Sequence, residues 1–225
     1  MYIRSRKASL VFKFALALLG TAVLVDQTGL LAGSLSTIFF LMFTNLSNIA
    51  VVLCFWIVGF YALAHPERGQ RPWCPKIKHA LMLAITVTFL VAHFMLNGGM
   101  VFMNGIFNFD MLVLHYIVPI GAILDWLLFD EKGTITKFEP FLWLIFPLAY
   151  FAYIMIMVLG LGVNVGTGMS AAGRWPYPFL NIDLLGVPTV AGIVVAMVVF
   201  FLLLGYGYYF IDKKLAQSSK KRKAN

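Results

Sequence analysis

Six long apolar stretches divide this chain of 225 residues and constrain its fold more than any other feature. Each is long enough to cross a hydrocarbon core of about 30 Å, which takes about 20 mainly apolar residues in a helix. The stretches cover residues 8–26, 35–63, 79–97, 108–129, 140–161 and 187–211. With 61% hydrophobic and only 12% charged residues, the chain lacks the polar surface of a water-soluble domain. We therefore expect an all-α, polytopic membrane protein with six transmembrane helices.

The lysine and arginine residues predict the orientation of these six spans. Fifteen of the 17 lie in the N-terminal segment, the C-terminal tail and the two loops on the same side as the termini. The opposite connections hold only Arg174, and Lys13 lies within the first span. Because cytoplasmic loops carry the excess of positive charge, both termini are predicted to be cytoplasmic.

The same charge asymmetry bears on domains, location and partners. We expect one membrane domain over residues 1–225, ending in a basic cytoplasmic tail at 212–225, in the cell (plasma) membrane. The net charge of +8 follows from the orientation rule, so no nucleic acid partner is expected. The tail is instead expected to lie against anionic lipid headgroups.

The segment FTNLSN, at residues 43–48, is the most polar part of the second predicted span. Four of its six side chains can form hydrogen bonds, none is charged, and both flanks are strongly apolar. Thr44, Ser47 and Asn48 are spaced i, i+3 and i+4, which places them on one face of a helix. Asn45 borders that face. Such a face inside a membrane indicates either a polar site or hydrogen bonding between helices.

Further polar residues fall in the same half of the membrane. His93 and Asn97 are spaced i, i+4 near the outer end of the third span. His115 lies in the fourth span, and Pro119 one turn later removes a backbone donor and favours a kink there. These positions predict a polar pocket in the outer leaflet, built from spans two, three and four.

The residue types in this pocket suit acyl transfer. A hydroxyl becomes a good nucleophile when a neighbouring base takes its proton, so Thr44 and His115 are the candidate catalytic pair. Amide side chains can donate to a developing oxyanion, and the guanidinium of Arg174 can bind a carboxylate or phosphate. The candidate oxyanion or pocket residues are Asn45, Ser47, Asn48, His93 and Asn97, and the candidate carboxylate or headgroup residues are Arg174 and Tyr177. No metal or organic cofactor is required.

Simpler interpretations of the same residues remain open. FTNLSN can serve as packing between helices, and His93 as a structural hydrogen-bonding residue. Lys13 is expected to extend to the interface, and Asp125 with Trp126 is interpreted as an interfacial anchor. At about 1.5 Å per residue, straight parallel helices leave Thr44 and His115 about 10 Å apart in depth.

Three segments, in order along the six spans, carry a family resemblance: FFLMFTNLSNIAVVL, LVLHYIVPIGAILDWLLF and RWPYPFLNIDLLG. Together they resemble bacterial relatives of the androgen-induced and androgen-dependent TFPI-regulating transmembrane protein family. The characterised members of that family are multi-pass threonine hydrolases of fatty acid esters of hydroxy fatty acids. The resemblance implies that the family's threonine corresponds to Thr44 and its histidine to His115.

The sequence thus favours an integral membrane hydrolase or acyl transferase for lipid esters, with an outer-leaflet Thr/His site. Membrane lipids, including a lipid-like ester substrate, are the expected partners. One alternative is a small transporter or lipid-binding protein that uses the same pocket without covalent chemistry. A second alternative is a structural membrane subunit, in which the polar residues hold helices together.

Overall fold

The computed structural model describes residues 3, 5–68, 73–96, 98–103, 105–166 and 172–224. Six helices among these residues are long and apolar enough to span a membrane. They are α1 (Arg6–Gln27), α2 (Phe43–Ala64), α3 (Pro75–Met95), α4 (Phe109–Phe129), α5 (Glu139–Gly160) and α6 (Val187–Ala224). The predicted all-α, six-helix polytopic membrane fold is confirmed.

Both ends of the chain lie at one end of the helix bundle. The Arg6 guanidinium donates to the carbonyl of Ala62 at the end of α2, and the N–H of Ile3 donates to Leu128 near the end of α4. Asp212 of α6 accepts from the loop that follows α4. We name this the terminal end of the bundle and the opposite one the far end. The cytoplasmic location of the terminal end stays a prediction.

Close packing of α1 against α2 and α4 depends on two glycines. A Cβ at Gly20 would lie 2.4 Å from Val52 Cγ2, and one at Gly121 would lie 2.7 Å from both methyl carbons of Leu16. Any larger side chain would force the helices apart. The three helices share one buried apolar cluster, and a second cluster joins α3, α5, α6 and the α5–α6 loop.

The second span begins later than the sequence predicts. The expectation was a helix from residue 35, but residues Thr37–Leu41 form a separate 3₁₀ turn and Met42 is extended, with φ −92° and ψ 127°. The amide of Asn45 donates to Phe39 O at 3.0 Å and holds this turn against the helix. FTNLSN is therefore the N-terminal end of α2, where backbone N–H groups lack partners within the helix.

Helix α4 contains one widened turn, a π turn at Val113–Ile117. The N–H of Val118 donates to Val113 O, five residues earlier, instead of to the residue four earlier. Pro119 has no N–H to donate to the His115 carbonyl, which favours a departure from α geometry at this point. The sequence suggested a kink beside His115; the departure from α geometry that the structure shows there is a π turn, a feature common at functional sites.

The loops at the far end are structured. Strands β1 (Phe102–Met103) and β2 (Ile106–Phe107) form a short antiparallel pair between α3 and α4. The loop between α5 and α6 folds back over the bundle and contains two short helical segments, Pro178–Leu180 and Ile182–Leu185.

Four charged side chains form a buried cluster towards the terminal end. Lys13 Nζ donates to Asp125 Oδ1 at 2.6 Å, and Lys78 donates to both Asp125 and Asp130. The expectations that Lys13 extends to the interface and that Asp125 and Trp126 form an interfacial anchor were wrong. Lys13 is 3% exposed, Trp126 2% and Asp125 0%, because α1, α3 and α4 bring opposite charges together inside the bundle.

Candidate active site

Thr44 and His115 meet at the far end of the bundle. Thr44 Oγ1 lies 3.3 Å from His115 Nε2, and the imidazole is 4% exposed. Thr44 is on the first turn of α2, and His115 is at the centre of the π turn of α4. The structure therefore brings together the two residues that the sequence suggests as a pair. Whether they are catalytic stays a prediction.

The direction of the His115 side chain accounts for its contact with Thr44, despite the difference in depth expected between the two residues. Asn48 donates to Leu114 O at 3.0 Å, so these residues lie at the same level, and Thr44 lies one turn, about 6 Å, nearer the far end. Helices α2 and α4 run in the same direction, from the far end to the terminal end. Because helical side chains lean towards the helix N-terminus, the imidazole of His115 extends up towards Thr44.

The other polar side chains of FTNLSN bind the protein itself. The amide of Asn48 donates to Thr44 O at 2.8 Å as well as to Leu114 O, which uses both of its hydrogens. Asn45 donates to Phe39 O, and Ser47 shares a 2.8 Å hydrogen bond with Thr88 of α3. The structure thus aims neither hydrogen of Asn48 at a substrate. It gives these residues the helix-joining contacts that were the alternative interpretation.

His93 and Asn97 do not join this site. The ring of His93 is exposed, and its Nδ1 lies 2.9 Å from the Tyr116 hydroxyl. That contact holds α3 to α4 away from Thr44. The prediction for Asn97 falls outside the residues that the structure describes.

An apolar cavity of about 70 Å³ extends from Thr44. It is partly open, and α2, α3, α5, α6 and the α5–α6 loop supply its wall. The polar side chains of the wall are those of Thr44, Thr88, Tyr150 and Tyr177, and the remaining lining residues are apolar. Helices α5 and α6 touch closely nearer the terminal end, where a Cβ at Gly205 would lie 3.0 Å from Pro140 Cβ. Such a cavity suits a hydrocarbon chain better than a polar solute.

Tyr177 reaches this site from the α5–α6 loop. Its phenol is 3% exposed, lines the same cavity as Thr44, and lies within hydrogen-bonding reach of the Thr44 side chain and of the backbone at Phe43 and Thr44. Burial raises the pKa of Tyr177, although these hydrogen bonds oppose the shift, so the phenol is neutral at ordinary pH. The sequence suggested Tyr177 as a headgroup residue, whereas the structure places it against the proposed nucleophile.

Arg174 is paired within the same loop. Its Nε and Nη2 donate to the two carboxylate oxygens of Asp183 at 2.7 and 2.9 Å, and the indole N–H of Trp175 also donates to Asp183. Hydrogen bonds from Arg174 and Trp175 lower the pKa of Asp183 to about 2. The guanidinium is therefore already neutralised, and its predicted role as a carboxylate or headgroup site would require it to leave Asp183.

Sequence reasoning missed Thr88, Tyr150 and Asp183. Thr88 and Tyr150 look like ordinary residues of apolar helices, and only packing brings them to the cavity. Asp183 carried a usable signal, because RWPYPFLNID holds one cation and one anion nine residues apart in an otherwise uncharged loop. Among the described residues, no three His, Cys, Asp or Glu side chains are grouped as metal ligands.

Fold and site together define a multi-pass integral membrane protein with six spanning helices and a threonine–histidine pair beside an apolar cavity. No family model, no curated protein and no solved structure matches the chain.

Proposed function

We propose that this protein hydrolyses lipid esters, or transfers their acyl groups, with Thr44 as the nucleophile and His115 as the general base. The observation that carries the proposal is the 3.3 Å contact between Thr44 Oγ1 and His115 Nε2 at the wall of an apolar cavity. By the charge asymmetry, the site would lie in the outer leaflet of the cell membrane. A lipid could then reach it without leaving the bilayer.

The proposed chemistry needs only these side chains and water. With Nε2 unprotonated, His115 takes the Thr44 hydroxyl proton as Oγ1 forms a bond to the ester carbonyl carbon. The tetrahedral intermediate collapses, the alcohol leaves with the proton from His115, and Thr44 carries the acyl group. Water, deprotonated by His115, then attacks the acyl carbon, the bond from that carbon to Thr44 Oγ1 breaks, and Oγ1 takes the proton back from His115 as the carboxylic acid leaves. Another alcohol in place of water would give acyl transfer.

Two features of the environment of Thr44 and His115 support this chemistry. Burial of His115 excludes bulk water, which strengthens the hydrogen bond to Thr44. The cavity wall, from Val87 and Val91 of α3 to Val194 and Met197 of α6, offers apolar contact for the chain of an acyl substrate. The proposal also agrees with the resemblance to the androgen-induced transmembrane hydrolases, which pairs the same two residues.

Labelling with a fluorophosphonate probe tests the proposal. Purified protein in detergent should be labelled at Thr44, and Thr44→Ala and His115→Ala should lose at least 90% of the labelling with unchanged thermal stability. Thr44→Ser should retain it, because serine supplies the same hydroxyl. Thr88→Val is the matched control, since Thr88 lines the same cavity and its hydroxyl bonds to Ser47 and to Ala84 O. A folded wild type that resists the probe and hydrolyses no long-chain ester would refute the proposal.

The apolar wall also favours a second function, the binding or transport of a lipid without covalent chemistry. Here Thr44 would merely line the cavity. Thr44→Ser and Thr44→Ala would then bind a fluorescent fatty acid equally well, and neither they nor wild type would turn over an ester. A large difference between serine and alanine at this position would exclude this function.

A further inference from the structure

The α5–α6 loop covers the Thr44 site and is inserted into the bundle. Trp175, Tyr177 and Leu180 are 0%, 3% and 4% exposed, although the loop lies at the far end. Gly173 and Gly186 flank this segment with φ of +58° and +76°, a backbone conformation that glycine adopts without strain. The segment between them is thus a compact unit with a glycine in a left-handed backbone conformation at each side.

An exposed ion pair joins the two ends of this unit. Arg174 and Asp183 are joined by two hydrogen bonds, and their side chains are 38% and 49% exposed. Exposed ion pairs contribute little to stability, so the pair can open at small cost. The buried side chain that this loop delivers to Thr44 is Tyr177.

The contacts of the Tyr177 hydroxyl are those a substrate carbonyl would need. The phenol is buried, lines the same cavity as Thr44, and lies within hydrogen-bonding reach of the backbone at Phe43 and Thr44 and of the Thr44 side chain. The first N–H groups of a helix have no partner within it, so they are donors for whatever oxygen lies there. An ester attacked by Thr44 must place its carbonyl oxygen near such donors, where the developing negative charge is stabilised.

We propose that Tyr177 is the gate of the Thr44 site: its hydroxyl occupies the position of the substrate carbonyl oxygen and must withdraw before an ester can bind. This inference rests on the proposed function for the identity of the substrate. The gate concerns only whether a molecule can reach Thr44, whatever reaction follows. It makes the structure the closed state of the protein.

Access can be measured without any enzymatic activity. Thr44→Cys, in a chain that also carries Cys54→Ser and Cys74→Ser, is treated with N-ethylmaleimide, and the modified fraction is followed by mass spectrometry. Adding Tyr177→Ala should accelerate modification at least tenfold, and Tyr177→Phe at least threefold, because each removes the phenolic hydrogen bonds. Tyr153→Phe is the matched control and should leave the rate within twofold, because the Tyr153 hydroxyl donates to Phe40 O and Tyr153 is not among the residues that line the cavity.

A second variant addresses the loop rather than the gate residue. Arg174→Gln should accelerate modification by no more than about fivefold, because an exposed ion pair provides only a weak restraint. Rates within twofold of the parent for both Tyr177 variants, at unchanged melting temperature, would overturn the gate. If Tyr177→Ala does not fold, the Tyr177→Phe rate decides.

Fluorophosphonate labelling separates the gate from the chemistry. In the otherwise native chain, Tyr177→Phe should label faster than wild type. Slower labelling with unchanged maleimide access would overturn the gate, since Tyr177 would then assist the reaction. If maleimide access increases as expected and no variant labels, the gate stands and the hydrolase proposal fails.

Discussion

Lys13 Nζ lies 2.6 Å from Asp125 Oδ1, and this bond joins the first and fourth spanning helices across 112 residues of the chain. Lys78 of α3 binds the other oxygen of Asp125 and also Asp130, so two positive and two negative side chains balance inside the bundle. Buried charges are tolerated only when paired in this way. The cluster therefore holds three helices in one fixed arrangement.

The first prediction concerns this balance. Asp125→Asn, which leaves two buried lysines with one carboxylate, should lower the free energy of unfolding by about 3–5 kcal/mol. Lys13→Met should have a comparable effect. The double variant, which again balances Lys78 against Asp130, should cost clearly less than the sum of the two single changes. Denaturant titration in detergent measures all three, and strict additivity would show that the charges do not interact.

The second prediction concerns Lys132, in the loop between α4 and α5. Its ammonium donates to Trp126 O and Asp130 O, and burial lowers the pKa of Lys132 from 10.5 to about 8. Between these two pH values the unfolded chain binds a proton that the folded one has released, so the stability from this group rises with pH. The contribution of Lys132 to stability is lowest below pH 8 and reaches its full value above about pH 10.5.

The free energy of unfolding of wild type, relative to that of Lys132→Met, should therefore rise by about 1–2 kcal/mol from pH 7 to pH 10.5. This figure is discounted for the partial exposure of Lys132. The free energy of unfolding, measured at several pH values, gives this difference. Lys137→Met is the control, because Lys137 is exposed and stacks on Phe138. A difference that is constant with pH would contradict the prediction.

The third prediction concerns the cavity and depends on the proposed hydrolysis. Val194 lines the cavity from α6, whereas its neighbour Val195 is 63% exposed on the outer face of the same helix. Val194→Phe should fill part of the cavity and reduce turnover of a long-chain ester about tenfold, the effect of losing about two buried methylene groups. Turnover of an acetyl ester should change less than twofold.

Val195→Phe is the matched control, because it adds the same ring to the surface rather than to the cavity. It should leave both substrates unaffected. Equal losses for long and short esters in Val194→Phe would show that the substrate chain does not occupy this cavity.

The six spans were predictable because span length and hydropathy are local properties of the sequence. The start of α2 was not, since the mainly apolar residues 35–42 are compatible with a helix, and hydropathy does not reveal the Asn45–Phe39 hydrogen bond that favours a separate turn. Likewise, Lys13 could be assigned to the interface only by ignoring Asp125, whose position beside it depends on how α1 packs against α4.

The site was predictable in its chemistry but not in its geometry. Residue types alone suggested Thr44 and His115, yet counting residues along straight helices left them apart. That count did not include the direction of the His115 imidazole or the π turn around it, which together bring the two side chains into contact. The position of Tyr177 could not be predicted either, because it depends on how a glycine-flanked loop folds back onto the bundle.

The π turn of α4 also determines which neighbouring helices the two parts of α4 face. A π turn amounts to one extra residue accommodated within an α-helix, so the segments on its two sides differ in angular register by about 100°. His115 is part of that extra turn. The parts of α4 before and after the turn therefore face different neighbours than they would in an uninterrupted α-helix, although α4 still spans as one helix.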